Sequence, residues 1–189
     1  MRCINCEAFS FSVICPSCKR ILQNPRLTLR EIGNFKIFSF YGYDEVKPII
    51  LRKHSMSGAF AYRALANLSF KQFAREFKFS AEASLVPIDD KITSGYSHTA
   101  ILAHAAKSEI LRPIYRCLHA SSNVNYSGKD LNFRLAHPRN FKILKRPPYP
   151  VILIDDVVTT ATTLLEAKTA LEKADVEVLF ALTLADARY

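Results

Sequence analysis

Glycine is scarce in this chain. Its 189 residues hold only 5, at Gly33, Gly42, Gly58, Gly95 and Gly128, against an average share near 7%. With so few, neither G-x-G-x-x-G nor G-x-x-x-x-G-K-[ST] can be written, so the dinucleotide and P-loop fingerprints are excluded. Long apolar runs are missing too. None approaches the ~18 residues of a membrane span, and the first residues, MRCINCEAF, carry no apolar signal core. The expectation is a soluble, cytoplasmic protein without membrane insertion. There is no internal repeat and no low-complexity tract.

What is present is an ordinary globular composition, 49% hydrophobic and 23% charged, enough for one real core with a small appendage. The net charge is +9, from 26 Lys and Arg against 17 Asp and Glu, and it is unevenly spread. Residues 1–54 carry +5, residues 55–90 balance at four charges of each sign, residues 91–149 carry +8, and residues 150–189 carry −4. Basic surface attracts polyanions such as nucleic acid, and it equally serves as a solvated face.

Strand and helix patterns alternate along the chain. A linker is expected over 25–34 and a strand over Phe35–Tyr43. A short helix over Asp44–Lys53 is capped by Asp44, and an amphipathic helix runs over Phe60–Phe79. Ser84–Ile88 reads as a buried strand, Thr99–Leu111 as a helix and Pro113–Leu118 as another strand. A flexible loop follows over His119–Lys129. Val151–Ile154, Thr162–Ala174 and Val176–Leu184 then give strand, helix, strand. Such alternation implies an α/β fold, a parallel sheet with helices on its faces.

Four of the five cysteines lie in the first 18 residues, as Cys3-x2-Cys6 and Cys15-x2-Cys18 with eight residues between the pairs. Each pair can turn two sulfurs toward one metal, and together they complete a four-thiolate shell of the structural zinc kind. Paired disulfides and a redox C-x-x-C are the alternatives, both disfavoured in a reducing compartment. A segment of about 24 residues holds no core of its own, so bound zinc would supply its folding free energy. Cys117 reads as a small buried side chain.

The most specific signal is Val151–Thr163, VILIDDVVTTATT. A buried strand delivers Asp155 and Asp156 to a sheet edge, and a hydroxyl-rich loop opens into a helix. Free N–H groups at a helix start favour an anion such as phosphate, and two carboxylates can accept from a sugar diol. Together they describe a ribose 5-phosphate. A threonine-rich helix cap beside a surface Asp pair accounts for the same residues without a ligand.

Asp155, Asp156, Val157, Thr159, Thr160 and Thr163 match the signature of type I phosphoribosyltransferases, an aliphatic run followed by D-D-V-x-T-T-G-x-T. With the four-cysteine segment ahead of a body of about 160 residues, the chain is similar to the ComF (ComFC) family of bacterial competence proteins. The resemblance implies a doubly wound parallel sheet over 35–189 and a small zinc knuckle over 1–24. It implies that Asp155 and Asp156 hold the ribose hydroxyls of phosphoribosyl pyrophosphate with Mg²⁺ bound through the ligand. Thr159, Thr160, Ala161, Thr162 and Thr163 would then cradle the 5-phosphate. Val86, Pro87 and Gly95 match the family's V-P-x-P and R-G-x-N-Q segment, which makes Asp89, Asp90, Lys91, Ser94 and Gly95 the pyrophosphate loop.

Three departures stand out: Ser94 where the family has Arg, Ser97 where it has Asn, and Ala161 for the glycine of T-T-G-x-T. An alanine there is strained if the position needs a positive φ. His98 lies in the right loop, but a lone loop histidine reads more readily as a solvated side chain than as a catalyst.

The resemblance further implies handling of incoming single-stranded DNA during natural transformation, alongside other DNA-uptake or DNA-processing proteins. The candidate DNA contacts are Lys19, Arg20, Arg116, Lys129, Arg134, Arg139 and Lys142. An active phosphoribosyltransferase with an unknown acceptor is the alternative.

Overall fold

A computed structural model describes residues 1–88, 95–122 and 138–189. It shows an α/β architecture with helices on both faces of a mostly parallel sheet. The order is α1 (Pro16–Leu22), β1 (Thr28–Ile32), β2 (Phe35–Gly42), α2 (Tyr43–Leu51), α3 (Met56–Leu68), α4 (Phe70–Glu76) and β3 (Ala83–Pro87). Then come α5 (His98–Ala105), β4 (Leu111–Pro113), β5 (Leu118–Ala120), β6 (Phe141–Ile143), β7 (Val151–Val158), α6 (Thr162–Glu172) and β8 (Val178–Asp186).

Among the described residues, six strands pair in the order β1-β2-β8-β7-β3-β4. All neighbours are parallel except β1, which runs antiparallel to β2 at the edge. β5 and β6 form a separate antiparallel ribbon.

The central strands are aliphatic because both of their faces are covered. Along β7 the side chains alternate between two cores. Ile152 and Ile154 join Leu182, Leu184 and Leu85 beneath α2–α5. Val151 and Leu153 join Ile37, Val86 and Ala181 beneath α6 and the β5–β6 ribbon. The cysteine-bearing segment packs into the first of these cores through Ile4, Ile14 and Leu22. Tyr41 Oη ties it further by donating to the Leu22 carbonyl at 2.8 Å.

Several elements differ from the sequence expectation, each for a local reason. The stretch read as a linker forms β1, whose alternating half-buried and exposed residues (TLREI) suit an edge strand. Helix α2 starts one residue earlier than expected. Its cap is Gly42, whose N–H is held by the Glu45 carboxylate at 2.6 Å.

The expected single helix over 60–79 is two. The first begins at Met56, where the Ser55 hydroxyl accepts from the Gly58 N–H at 3.1 Å. It ends at Ser69, whose hydroxyl bonds back to the Leu65 carbonyl at 2.7 Å. Pro113–Leu118 is not one strand but the end of β4 and the start of β5, with Arg116 between them at φ +54°. Cys117 is buried, as expected.

Candidate functional site

Strand β7 carries Asp155 and Asp156 between its buried aliphatic run, which ends at Ile154, and Val157–Val158, and so places them near the carboxyl edge of the sheet. Each carboxylate accepts the backbone N–H of the following residue, Asp155 Oδ1 from Asp156 and Asp156 Oδ1 from Val157, both at 2.8 Å.

Three side chains from remote segments converge on Asp156. Lys53, in the turn between α2 and α3, reaches Oδ2 at 2.6 Å. The His98 Nε2, at the start of α5, lies 3.4 Å from the same oxygen. The Tyr62 ring of α3 packs edge-on to His98 at 5.9 Å, and its hydroxyl is buried beside the Asp156 charge. Burial penalises its ionised form and Asp156 adds repulsion, so Tyr62 stays a neutral phenol.

The two carboxyls are driven apart. Burial and the adjacent Asp156 charge raise Asp155 well above the usual carboxylate range. Burial works against ionised Asp156 as well, but Lys53 and His98 outweigh it and hold that carboxyl down. The outcome is one strongly anionic oxygen set beside one that readily takes a proton, the arrangement that lets a carboxylate pair both accept from and donate to a diol.

Glycine at position 58 permits this convergence. A Cβ there would sit 2.1 Å from the Arg52 carbonyl oxygen, so only glycine lets α3 press against the turn that carries Lys53. The Tyr96 hydroxyl clamps the same turn by donating to the Lys53 carbonyl.

After β7, the loop through Thr159 and Thr160 delivers the first turn of α6. Ala161, at φ +62° and ψ 6°, is its cap and supplies no side-chain hydrogen bond. The first N–H groups of α6 are therefore left without an intrahelical partner, beside the Thr160 and Thr162 hydroxyls, which lie 2.9 Å apart. Arg30 of β1 holds the base of the loop through the Thr159 carbonyl at 2.5 Å and Asp186 at 3.8 Å. The Ala161 methyl belongs to the apolar cluster with Val158 and Leu164.

The structure thus brings together the carboxylate pair and the threonine loop that the sequence nominated. Three participants carried no sequence signal: Lys53, Tyr62 and Arg30. His98, read as a solvated side chain, is instead mostly buried against Asp156. Of the pyrophosphate loop, Gly95 is described, with φ +82°. Asp89, Asp90, Lys91 and Ser94 lie outside the described residues, as do Lys129 and Arg134.

The remaining nominated cations do not share a surface. Lys19 and Arg20 are exposed on α1, whose buried side packs into the α2–α5 core. Arg116, Arg139 and Lys142 belong to the ribbon side of the sheet, where the Arg139 N–H donates to the Glu166 carboxylate at 2.7 Å.

At the N-terminus, the sulfurs of Cys3, Cys6, Cys15 and Cys18 all lie within 4.8 Å of one another. The Cys6 and Cys15 sulfurs are 3.7 Å apart, close to the ~3.8 Å edge of a tetrahedron with 2.3 Å metal–sulfur bonds. Backbone N–H groups point at the sulfurs, Cys15 to Cys3 at 3.3 Å and Cys18 to Cys15 at 3.4 Å. Burial opposes the Cys3 thiolate, yet the backbone N–H groups of Cys15, Cys6 and Asn5 outweigh it and bring the thiol down to about 6. Four cysteines this close can bind a metal such as zinc.

No helix among the described residues is long and apolar enough to cross a membrane. No protein-family model matches the chain, and no curated protein matches it either.

Proposed function

We propose that the chain binds a phosphoribosyl pyrophosphate-type ligand together with Mg²⁺. The observation that carries this reading is the single stretch that sets Asp155 and Asp156 beside an uncapped helix start lined by threonine hydroxyls. The diol of a ribose would lie on the carboxylates and its 5-phosphate on the N–H groups of α6. Mg²⁺, bound through the ligand, would supply charge neutralisation for the pyrophosphate. The four cysteines would hold a structural Zn²⁺ in an N-terminal knuckle, their spacing and N–H donors matching a closed tetrahedral shell.

Combined with the ComF-like order of the chain, this makes it a cytoplasmic competence factor that binds incoming single-stranded DNA in natural transformation. The fold expected for that family, the type I phosphoribosyltransferase sheet, accords with the parallel β2-β8-β7-β3-β4 core.

The test is thermal stabilisation. At a hundredfold excess over its Kd, a ligand specific for the folded state adds about 2.7 kcal/mol. Phosphoribosyl pyrophosphate with Mg²⁺ is expected to raise Tm more than ribose 5-phosphate or nucleotides. The rise should vanish in Asp155→Ala/Asp156→Ala, and equal or absent shifts for all ligands would reject the reading.

A second reading, an active phosphoribosyltransferase with an unidentified acceptor, is favoured by His98 beside Asp156, an imidazole on the carboxylate that would hold the ribose. It predicts acceptor-dependent pyrophosphate release that is lost in the same double variant.

A further inference from the structure

Two cavities lie against α5, one of about 570 Å³ and one of about 480 Å³. Both are lined by Asn67, His104 and Ala105, so they form one continuous groove between α3–α4 and α5. Its charge is of one sign. Arg63 lines the first cavity, and Lys71, Arg75 and Lys107 line the second. Among the described residues, no carboxylate lines either. All four cations are exposed, so they remain solvated and available to an anion.

The groove also presents rings. Tyr115 is 37% exposed and is held by His104, whose Nδ1 lies 3.3 Å from the phenol oxygen. Tyr96 lines the same end. Cations set along a groove with tyrosine faces at one end suit a backbone of phosphates carrying stackable bases. An acidic peptide would use the cations but brings no bases to stack on the rings.

The groove also leads somewhere. Tyr96 grips the Lys53 carbonyl, and Ser97, which lines the groove, precedes the His98 that lies on Asp156. One end therefore adjoins the carboxylate pair.

We infer that this groove is the seat of a single strand of polynucleotide, its phosphates on Arg63, Lys71, Arg75 and Lys107 and a base on Tyr115. The inference rests on the reading that the chain handles single-stranded DNA, and it assigns three of the four phosphate contacts, Arg63, Lys71 and Arg75, to residues outside the basic blocks of the sequence. Residues 55–90 are neutral as a block, yet folding places three of their four cations on the groove.

The test is fluorescence anisotropy of a labelled oligothymidylate of about 16 nucleotides with the full chain, titrated over a range of salt. Two variants probe the groove, Arg63→Ala/Lys71→Ala/Arg75→Ala/Lys107→Ala and Tyr115→Leu. A third, Arg116→Ala/Arg139→Ala/Lys142→Ala, probes the ribbon face.

Single strands lose about 0.7 in salt slope per phosphate contact. The quadruple variant should therefore flatten the slope by about 3 and weaken binding at least tenfold at low salt. Tyr115→Leu should weaken binding about fivefold or more with the slope unchanged, which keeps the inference testable if the quadruple variant does not fold.

Wild-type binding that both groove variants retain and the ribbon variant loses would overturn the groove while leaving the DNA reading intact. An abasic strand that binds as tightly as the oligothymidylate, with polyglutamate displacing it, would assign the groove to acidic peptides instead. No binding by the wild-type chain at low salt would overturn the DNA reading and the groove together.

Discussion

Ala161→Gly tests how the loop between β7 and α6 tolerates a left-handed alanine. The residue sits at φ +62° and ψ 6°, a left-handed conformation that costs an L-residue about 1–2 kcal/mol. Glycine would remove that strain. Two terms oppose the gain. Glycine frees the unfolded chain by about 0.4–1 kcal/mol, and the alanine methyl, which packs with Val158 and Leu164 in the core beneath α6, is worth about 0.8 kcal/mol. The sum is close to zero, so the variant should unfold within about 1 kcal/mol of wild type.

Asp175→Gly is the control. Asp175 follows α6 at φ +54° but is exposed, so no buried methyl is lost and glycine should be the better residue by a few tenths of a kcal/mol. Urea denaturation of both variants measures the two values. A loss of more than about 2 kcal/mol in Ala161→Gly would show that the methyl, not the backbone, sets the stability of this loop, and would refute the strain argument.

Three further outcomes are expected. Gly58→Ala drives a Cβ against the Arg52 carbonyl and should cost about 1–3 kcal/mol; unchanged stability in a thermal melt would show that α3 can shift away from the Lys53 turn. The folded-state value of Asp156 is about 2, below the unfolded value of ~3.9, so its ionic stabilisation is complete above pH ~4 and is lost as pH falls toward 2. The stability difference between wild type and Lys53→Met should accordingly be largest above pH ~4 and close as pH drops, and a difference independent of pH would contradict the ion pair. Replacing Cys6, the exposed member of the four-sulfur cluster, with Ala should abolish zinc retention measured by native mass spectrometry, whereas Cys117→Ser should keep one zinc per chain; full retention by Cys6→Ala would dismiss the four-thiolate shell.

The features legible in the sequence were those whose cause is local. VILI reads as a buried strand because four aliphatics in a row have no polar face, and the structure buries all four completely. The paired C-x-x-C spacing needs no knowledge of the rest of the chain. Edge strand β1 was missed because TLREI, half exposed with Arg30 and Glu31 within it, carries too weak an apolar alternation to register. The break between α3 and α4 depends on a single serine folding back on Leu65.

The site followed the same rule. Asp155, Asp156 and the threonines are contiguous and so were visible. Lys53 meets Asp156 across 103 residues of sequence, and no pattern within the chain marks such a partner. The charge groupings mislead for a related reason, since blocks along the chain do not map onto surfaces, and a neutral block sets three of its cations beside Lys107 on one groove.

Strand β1 has a protective side as well. It covers the outer edge of β2, whose sequence FKIFSFYG is rich in aromatic and β-branched residues and would otherwise offer an open ladder to another chain. The exposed cross-strand pair of Glu31 on β1 and Lys36 on β2, at 4.0 Å, helps hold β1 in that place. β1 follows directly on the cysteine-bearing segment and is riveted at its centre by Arg30. If the four cysteines hold a metal, as proposed, its loss would slacken the chain on one side of the rivet, and a frayed β1 would bare β2. Metal starvation should therefore show itself first as clumping of otherwise folded molecules, before any global unfolding.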